Sequence, residues 1–379
     1  MFFCVDQTFD QDFPCHWALD KFCVSTDNGW SITQRLGMQI LYKGYADSAP
    51  LDTLLTAIIA QQQPVLTGNF CVITHVDGIV QIHTDRYRSF PIYISDHNIN
   101  NLVPGTSTAW ADSLVTIGAD WAVAQRRFDV IGTINPAPIT FDHALDRVHN
   151  ILTQRTQQFL KHNTLPVRVF LSGGVDTMLI YSYLHAAGAD FELLDYDHFE
   201  HDYFWRCNSH KVSRYWAYRQ THHWRESCVL ASGTPGDEFM LRNPVSGDFY
   251  LQHLGTSINA QAQPHHMQYD YIWLDKNQKQ LAPAELLTNT EQLHRHLCNI
   301  MVNDWQHWHL GNTLHWTPLR DLDILKIIMR LPPEHAIGQI VNNKFSTALI
   351  ERNLPGGAKF ISDQKNTGAQ LKNLNRLFS

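Results

Sequence analysis

The chain has 379 residues, 44% of them hydrophobic and 17% charged, with a formal net charge of −7. That composition excludes a disordered chain, and the length is enough to bury a core in two domains or one large one. The acidic balance, without any dense Lys/Arg run, disfavours nucleic acid as a partner. Seven scattered cysteines (Cys4, Cys15, Cys23, Cys71, Cys207, Cys228, Cys298) never fall in a CxxC spacing. They argue against a disulfide framework or a thiolate zinc site, and the cytoplasm is the expected compartment. The N-terminal stretch lacks the basic and apolar regions of a signal peptide, and no segment reaches the roughly 18 apolar residues of a membrane span.

The first third reads as β-rich. Phe70–His75 and Ile79–Thr84 flank a Val-Asp-Gly turn, and the Asp-Gly pair predicts a hairpin. A short strand is expected at Pro91–Ile94. Punctuation by Gly, Pro and Ser from about residue 98 to 138 places a domain boundary near residue 130, dividing the chain into 1–130 and 131–379. Ala144, Val148, Ile151, Leu152, Phe159 and Leu160 then recur at helical spacing. Val167–Leu171 reads as a buried parallel strand, followed by Ser172-Gly173-Gly174, a helix over Met178–Ala187 and a strand over Phe191–Tyr196, which includes Leu194. This grammar predicts a doubly wound α/β domain. Helices are expected at Ile324–Leu331 and Phe345–Arg352.

Leu171-Ser172-Gly173-Gly174-Val175-Asp176-Thr177 carries the chemistry. At a strand-to-helix junction the first helical N–H groups lack partners and the helix dipole is positive. Paired glycines let that backbone close around phosphate oxygens, and Ser172 and Thr177 offer hydroxyls. Asp176 would repel phosphates unless a metal lay between, which points to Mg²⁺. No GxxxxGK[ST] occurs, so the loop is not a Walker A loop.

SGGVDT resembles the pyrophosphate loop of N-type ATP pyrophosphatases, and more narrowly that of class B asparagine synthetases and the related β-lactam synthetases. Ser232-Gly233-Thr234-Pro235-Gly236-Asp237-Glu238-Phe239 resembles the family's acidic segment, with one glycine displaced by Pro235. Thr317-Pro318-Leu319-Arg320-Asp321 resembles the family's xPFLD. Lys344-Phe345 through Asn353-Leu354-Pro355 to Asp363-Gln364-Lys365 follows its tail. Gly68-Asn69-Phe70, Thr84-Asp85-Arg86 and Phe90-Pro91-Ile92-Tyr93 are similar to a hairpin of the N-terminal glutaminase domain.

The resemblance implies an Ntn-hydrolase-like β-rich α+β domain followed by an ATP pyrophosphatase domain with a helical C-terminal part. It implies ATP as cofactor, held by Leu171, Ser172, Gly173, Gly174, Asp176, Thr177, Leu194 and Gly236. Mg²⁺ would lie on Asp176 and Asp237, with Lys365, Asp237, Glu238 and His315 catalytic. A carboxylate would become an acyl-adenylate and then an amide, with release of pyrophosphate and AMP. The partners are then a small-molecule carboxylate and an amine or ammonia, with a peptide or larger acceptor as a variant.

Three departures shape the expectation. The family's glutaminase nucleophile is a cysteine directly after the initiator Met, whereas Phe2 and Phe3 stand here and Cys4 reads as a buried thiol. Ammonia or an amine is therefore the expected nitrogen source, with an inactive first domain. Leu314 stands where asparagine synthetases carry Glu, and His315 reads as a general base or a packing histidine. The interval from Asp176 to Asp237 is short for the family. The histidine pairs His222-His223, His265-His266, His294/His296 and His307/His309 lack HExxH spacing, and Trp305, Trp308 and Trp316 read as packing residues near the substrate region. An ammonia-using asparagine synthetase, a tRNA-modifying pyrophosphatase and a nucleotide-binding scaffold are the competing readings.

Overall fold

Period-2 alternation of apolar residues builds the first part of the chain into two six-stranded antiparallel sheets. In the computed structural model the described residues are 3–11, 13–46, 50–60, 68–85, 92–95, 98–100, 107–108, 113–127, 137–171, 173–194, 227–233, 236–240, 313–332, 335, 338–339 and 342–361. The first sheet contains β1 (Phe3–Asp6), β2 (Cys15–Leu19), β3 (Phe22–Thr26), β8 (Tyr93–Ile94), β9 (Ile99–Asn100) and β10 (Ser107–Thr108), in the order β10-β8-β9-β1-β3-β2. The second contains β4 (Ser31–Arg35), β5 (Met38–Ala46), β6 (Gly68–Val76), β7 (Ile79–Thr84), β11 (Ser113–Ile117) and β12 (Val123–Arg127), in the order β12-β11-β7-β6-β5-β4.

The two faces of the second sheet bury different neighbours. Leu41, Cys71, Ile73, Ile82 and Val115 join Phe3, Phe22 and Val24 of the first sheet in one core. On the other face Ile40, Phe70 and Val72 pack with Leu54, Leu55 and Ile58 of helix α1 (Leu51–Ile59). The predicted hairpin forms as β6–β7, with Asp77 and Gly78 at φ of 49° and 72°, the left-handed values a two-residue turn requires. Among the buried polar residues Lys43 and Asp27 pair at 2.9 Å, and Trp30 Nε1 donates to Asp27 Oδ1 at 2.8 Å. Desolvation pulls the Lys43 pKa down against the attraction of Asp27.

From residue 141 the architecture changes to mixed α/β. Helix α2 (Phe141–His162) starts at Thr140, whose hydroxyl accepts from His143 N. Among the described residues four short strands then form a parallel sheet: β13 (Val167–Phe170), β14 (Glu192–Leu194), β15 (Cys228–Ala231) and β16 (Thr313–Trp316), in the order β14-β13-β15-β16. Helix α3 (Val175–Ala186) connects β13 to β14, α4 (Gly236–Phe239) follows β15, and α5 (Leu322–Ile328) follows β16. Helix α6 (Lys344–Asn353) and a 3-10 turn (Gly357–Phe360) complete the described chain. Helix α3 starts three residues earlier than periodicity predicts, at Val175, with Gly174 at its N-cap and no side-chain cap bond. The predicted boundary near residue 130 falls in 128–136, outside the described residues.

The two parts share one continuous apolar core, running from Phe3 and Ile73 through Phe159 to Trp316 and Phe345. Phe159 bridges them, lying 5.7 Å from the Tyr45 ring and stacked at 4.2 Å on Trp316. No helix among the described residues is long and apolar enough to cross a membrane.

Gly44 shows how tightly β5 and β6 approach. Its φ is +109°, and a Cβ there would lie 1.9 Å from the Asn69 carbonyl oxygen. Gly44→Ala is expected to lower unfolding free energy by roughly 3 kcal/mol through strain and displacement of β6. Gly37, also at positive φ but in open space, supplies the control: Gly37→Ala is expected to cost only about 1 kcal/mol. Urea unfolding of the two variants reads the difference, and equal losses would mean that backbone strain alone sets the cost.

Candidate functional site

The order β14-β13-β15-β16 creates a switch point. From β13 the chain crosses through α3 to β14 on one side, and β15 lies on the other. At such a point the connections leave in opposite directions and open a crevice at the carboxyl ends of the strands. The segments that end there are Leu171–Gly174 and Ser232–Gly233. Leu171 N donates to Leu194 O at 3.0 Å, so these two buried residues close the strand pairing at the crevice floor.

Gly173 adopts φ +90°, a turn that an L side chain resists, and Gly174 is the N-cap of α3. Helix α3 is buried on nearly every side, from Val175 and Thr177 through Leu184. Asp176, in its first turn, retains partial exposure and sits at the positive end of the dipole. The Thr177 hydroxyl donates back to Gly174 O at 3.0 Å and tightens the same turn.

Two glycines of the segment after β15 pack against Asp176. A Cβ on Gly233 would lie 2.4 Å from Asp176 Cβ and 2.7 Å from Thr177 N. A Cβ on Gly236 would lie 2.6 Å from Asp176 Cγ, 2.8 Å from its Oδ1 and 2.7 Å from Leu319 Cδ1. Gly236 N donates to Gly233 O at 2.6 Å, closing the turn from which α4 starts. The helix carrying Asp237 and Glu238 therefore begins against the Asp176 carboxylate. The side chains of Asp237 and Glu238 lie outside the described residues, as do Ser172, Lys365, Trp305, Trp308 and the four histidine pairs. Among the described residues no group of three or more His, Cys, Asp or Glu could hold a metal ion.

His315 lies on β16, and Ser232 directly follows the neighbouring strand β15. The His315 ring is 4% exposed, and its Nε2 lies 2.6 Å from Ser232 Oγ. Burial, and then the positive charge of Arg320, push its pKa down to about 3. His315 is neutral at physiological pH and a weak base. Its carbonyl accepts hydrogen bonds from Tyr45 Oη and Asn69 Nδ2, both at 2.6 Å, so β5 and β6 of the antiparallel part are joined to β16 of the parallel sheet. Leu314, on the same strand, is buried in the core.

Two contributors carry no signal in the sequence. Gln339 is fully buried; its Nε2 donates to Met240 O at 3.1 Å and to Ser346 Oγ at 2.8 Å. Its Oε1 accepts from Phe345 N and Ser346 N. Gln339 thus caps α6, in place of Asn343, whose side chain makes no cap bond, and ties α6 to the end of α4. Arg155, on α2, pairs with Asp321 at 3.0 Å. Asp321 also caps α5 by accepting from Asp323 N. The ties of Gln339 to Met240 and of Arg155 to Asp321 span 99 and 166 residues, so no local pattern marks them.

Cys4, on β1, is buried, and burial followed by Asp6 and Asp10 pushes its thiol up to about 12. That is opposite to the shift a nucleophilic thiol needs.

No protein-family model matches the chain, and no curated protein does either. Among solved structures, the chain is distantly similar to the glutamine phosphoribosylpyrophosphate (PRPP) amidotransferase from B. subtilis complexed with ADP and GMP, at 11% identity and a TM-score of 0.22. A second, described as the allosteric regulatory enzyme of purine biosynthesis, is 9% identical with a TM-score of 0.21. Each match covers 58% of this chain and 63% of the other, less than two thirds of the neighbour's length. Likeness at this level assigns neither fold nor function.

The depressed His315 pKa has a consequence for acid stability. Its folded value lies below the ordinary 6.5, so the unfolded chain binds a proton that the folded site refuses. This contribution is whole above about pH 6.5 and is lost as pH falls towards the folded value. Replacing His315 with Gln is expected to flatten the fall in unfolding free energy between about pH 6 and about pH 4 by one proton, roughly 1.4 kcal/mol per pH unit. Urea titrations at several pH values read this slope, and an unchanged slope would mean that the ring is charged in the fold.

Proposed function

We propose that the chain is an ATP-dependent carbon–nitrogen ligase of the asparagine-synthetase type. In this reading residues 1–130 are a glutaminase-like Ntn domain without glutaminase activity, and residues 131–379 an ATP pyrophosphatase domain. The observation that carries it is the contact of Asp176 with Gly233 and Gly236 at the switch point. It joins the SGGVDT turn to the segment bearing Asp237, as a shared phosphate and metal site requires.

The phosphates lie over the N–H groups at the start of α3, where Gly173 and Gly174 leave the backbone open, with Ser172 beside them. Leu171 and Leu194 border the nucleotide at the strand ends, and Gly236 lets the triphosphate approach α4. Mg²⁺ takes oxygen ligands and commonly uses one or two carboxylates plus phosphates, so Asp176 and Asp237 fit it as donors; when bound it supplies charge neutralisation to the phosphates. A carboxylate oxygen of the substrate attacks the α-phosphorus, and the bond to the pyrophosphate oxygen breaks. An amine or ammonia nitrogen then attacks the acyl carbon, AMP departs, and the nitrogen gives up a proton. Lys365 offsets charge at the transferring phosphoryl group, and Glu238 adds a carboxylate beside Asp237. His315 holds the Ser232 hydroxyl at the end of β15; its low basicity favours that role over proton abstraction from the amine. The raised Cys4 thiol supports ammonia or an amine over glutamine as nitrogen source.

The test is pyrophosphate release over pairs of carboxylates and amines. Asp176→Ala is expected to lower the rate by at least about 100-fold. Gly236→Ala, whose methyl group meets the Asp176 carboxylate, should fall similarly. ATP binding without release from any pair would leave a nucleotide-binding scaffold and remove the ligase; undiminished release in Asp176→Ala would remove the site.

A further inference from the structure

Arg320 follows β16 and is 8% exposed. Taking a guanidinium out of water is costly unless an anion or several acceptors replace the lost hydration. Two other cations withdrawn from water have such a partner: Lys43 pairs with Asp27, and Arg155 with Asp321. Arg320 has no carboxylate within ion-pair distance among the described residues. Its hydrogen bond there is from Nη2 to the Gly68 carbonyl, at 2.8 Å.

That single bond fixes the side chain across the seam between β6 and β16 and leaves the rest of the fork for another acceptor. The remaining nitrogens are not sealed in, since none is among the fully enclosed polar atoms without a hydrogen bond. Among the described residues the buried carboxylate next in the chain, Asp321, is engaged by Arg155 and not by Arg320. His315 is neutral, its carbonyl is taken by Tyr45 and Asn69, and its pKa is depressed first by burial and then by the positive charge of Arg320. A small planar anion that accepts two parallel N–H bonds suits the free edge of a guanidinium.

We propose that Arg320 is the recognition residue of a carboxylate-binding site at the seam between the antiparallel and parallel sheets, beside His315 and Gly68. The binding step stands apart from the ligase reading. If both hold, Arg320 anchors a carboxylate of the acid substrate one residue from Leu319, whose side chain touches the Gly236 turn.

Thermal unfolding at constant ionic strength tests this, with sodium acetate replacing sodium chloride, on the full chain and on Arg320→Met and Arg320→Lys. Acetate is expected to raise the wild-type melting temperature above its value in chloride. Arg320→Met should lose that response while melting in chloride at or above the wild-type temperature, because an unbalanced buried charge is gone. Arg320→Lys, which keeps the charge without the fork, should retain less than half of it and serves if the Met variant fails to fold. Acetate should also move the NMR titration of His315 towards its ordinary value in the wild type alone. Stabilisation by ATP with magnesium should persist in Arg320→Met, so its loss would count against the ligase site and not this one. The proposal is overturned by an equal acetate response in Arg320→Met, by no wild-type response to acetate, or by a larger response to inorganic phosphate at equal ionic strength.

Discussion

The candidate site depends on a contact with no room to spare: the Asp176 side chain against the backbone of Gly233 and Gly236. Protein interiors are close-packed, and a methyl group at either glycine would overlap Asp176 atoms. The turn after β15 can therefore meet the first turn of α3 only because two residues lack a Cβ. Everything downstream inherits its position from that meeting. Helix α4 starts there, Leu319 packs there, and Gln339 secures the far end of α4 to the cap of α6. A loop that held Asp176 a few ångströms away would leave two unrelated acidic turns on one surface.

The antiparallel sheets are part of this arrangement and not an appendage. Tyr45 and Asn69 both donate to the His315 carbonyl, and Arg320 donates to the Gly68 carbonyl, so three hydrogen bonds join β5 and β6 to β16 and the segment after it. The aromatic stack of Tyr45, Phe159 and Trp316 seals the same seam with apolar surface. Buried hydrogen bonds between parts far apart in the chain are costly to leave unmade. The geometry of the His315–Ser232 pair is thus set from the antiparallel side. A buried Cys4 is compatible with this arrangement, because Tyr45, Asn69 and Gly68 of β5 and β6 hydrogen-bond to β16 and the segment after it whatever the chemistry of that thiol.

Charge is distributed with the same economy. Lys43 has a buried carboxylate, Arg155 shares the helix-capping Asp321, and Arg320 faces a neutral imidazole. Burial without compensation normally marks strain or function. At the same seam the indole N–H of Trp316 is enclosed without a hydrogen bond, so the crevice end of β16 carries two departures from ordinary polar satisfaction. The ring stacking on Phe159 accounts for the placement of Trp316, and the bond to the Gly68 carbonyl holds Arg320 across the seam.

Much of this was legible locally. Alternation and an Asp-Gly turn predicted the β6–β7 hairpin, helical spacing predicted α2, and a β-branched run before two glycines predicted β13 and the turn into α3. Those signals are local because hydrogen bonding within a hairpin or helix involves neighbours in sequence. The residue types suited to phosphate and metal at the first turn, Gly173, Gly174 and Asp176, could likewise be named from their chemistry, whereas Gly236 and Asp237 were pointed to only by a family resemblance. What the sequence by itself determined, then, was the type of each local element and the chemical kind of each turn. Only the tertiary structure decided that β13 and β15 are neighbours, that the Gly236 turn closes on Asp176, and that His315 is buried against Ser232 instead of open to an incoming amine. Sheet order and side-chain burial arise from packing between segments separated by tens to hundreds of residues. No pattern within a single segment encodes which distant partner will remove it from water.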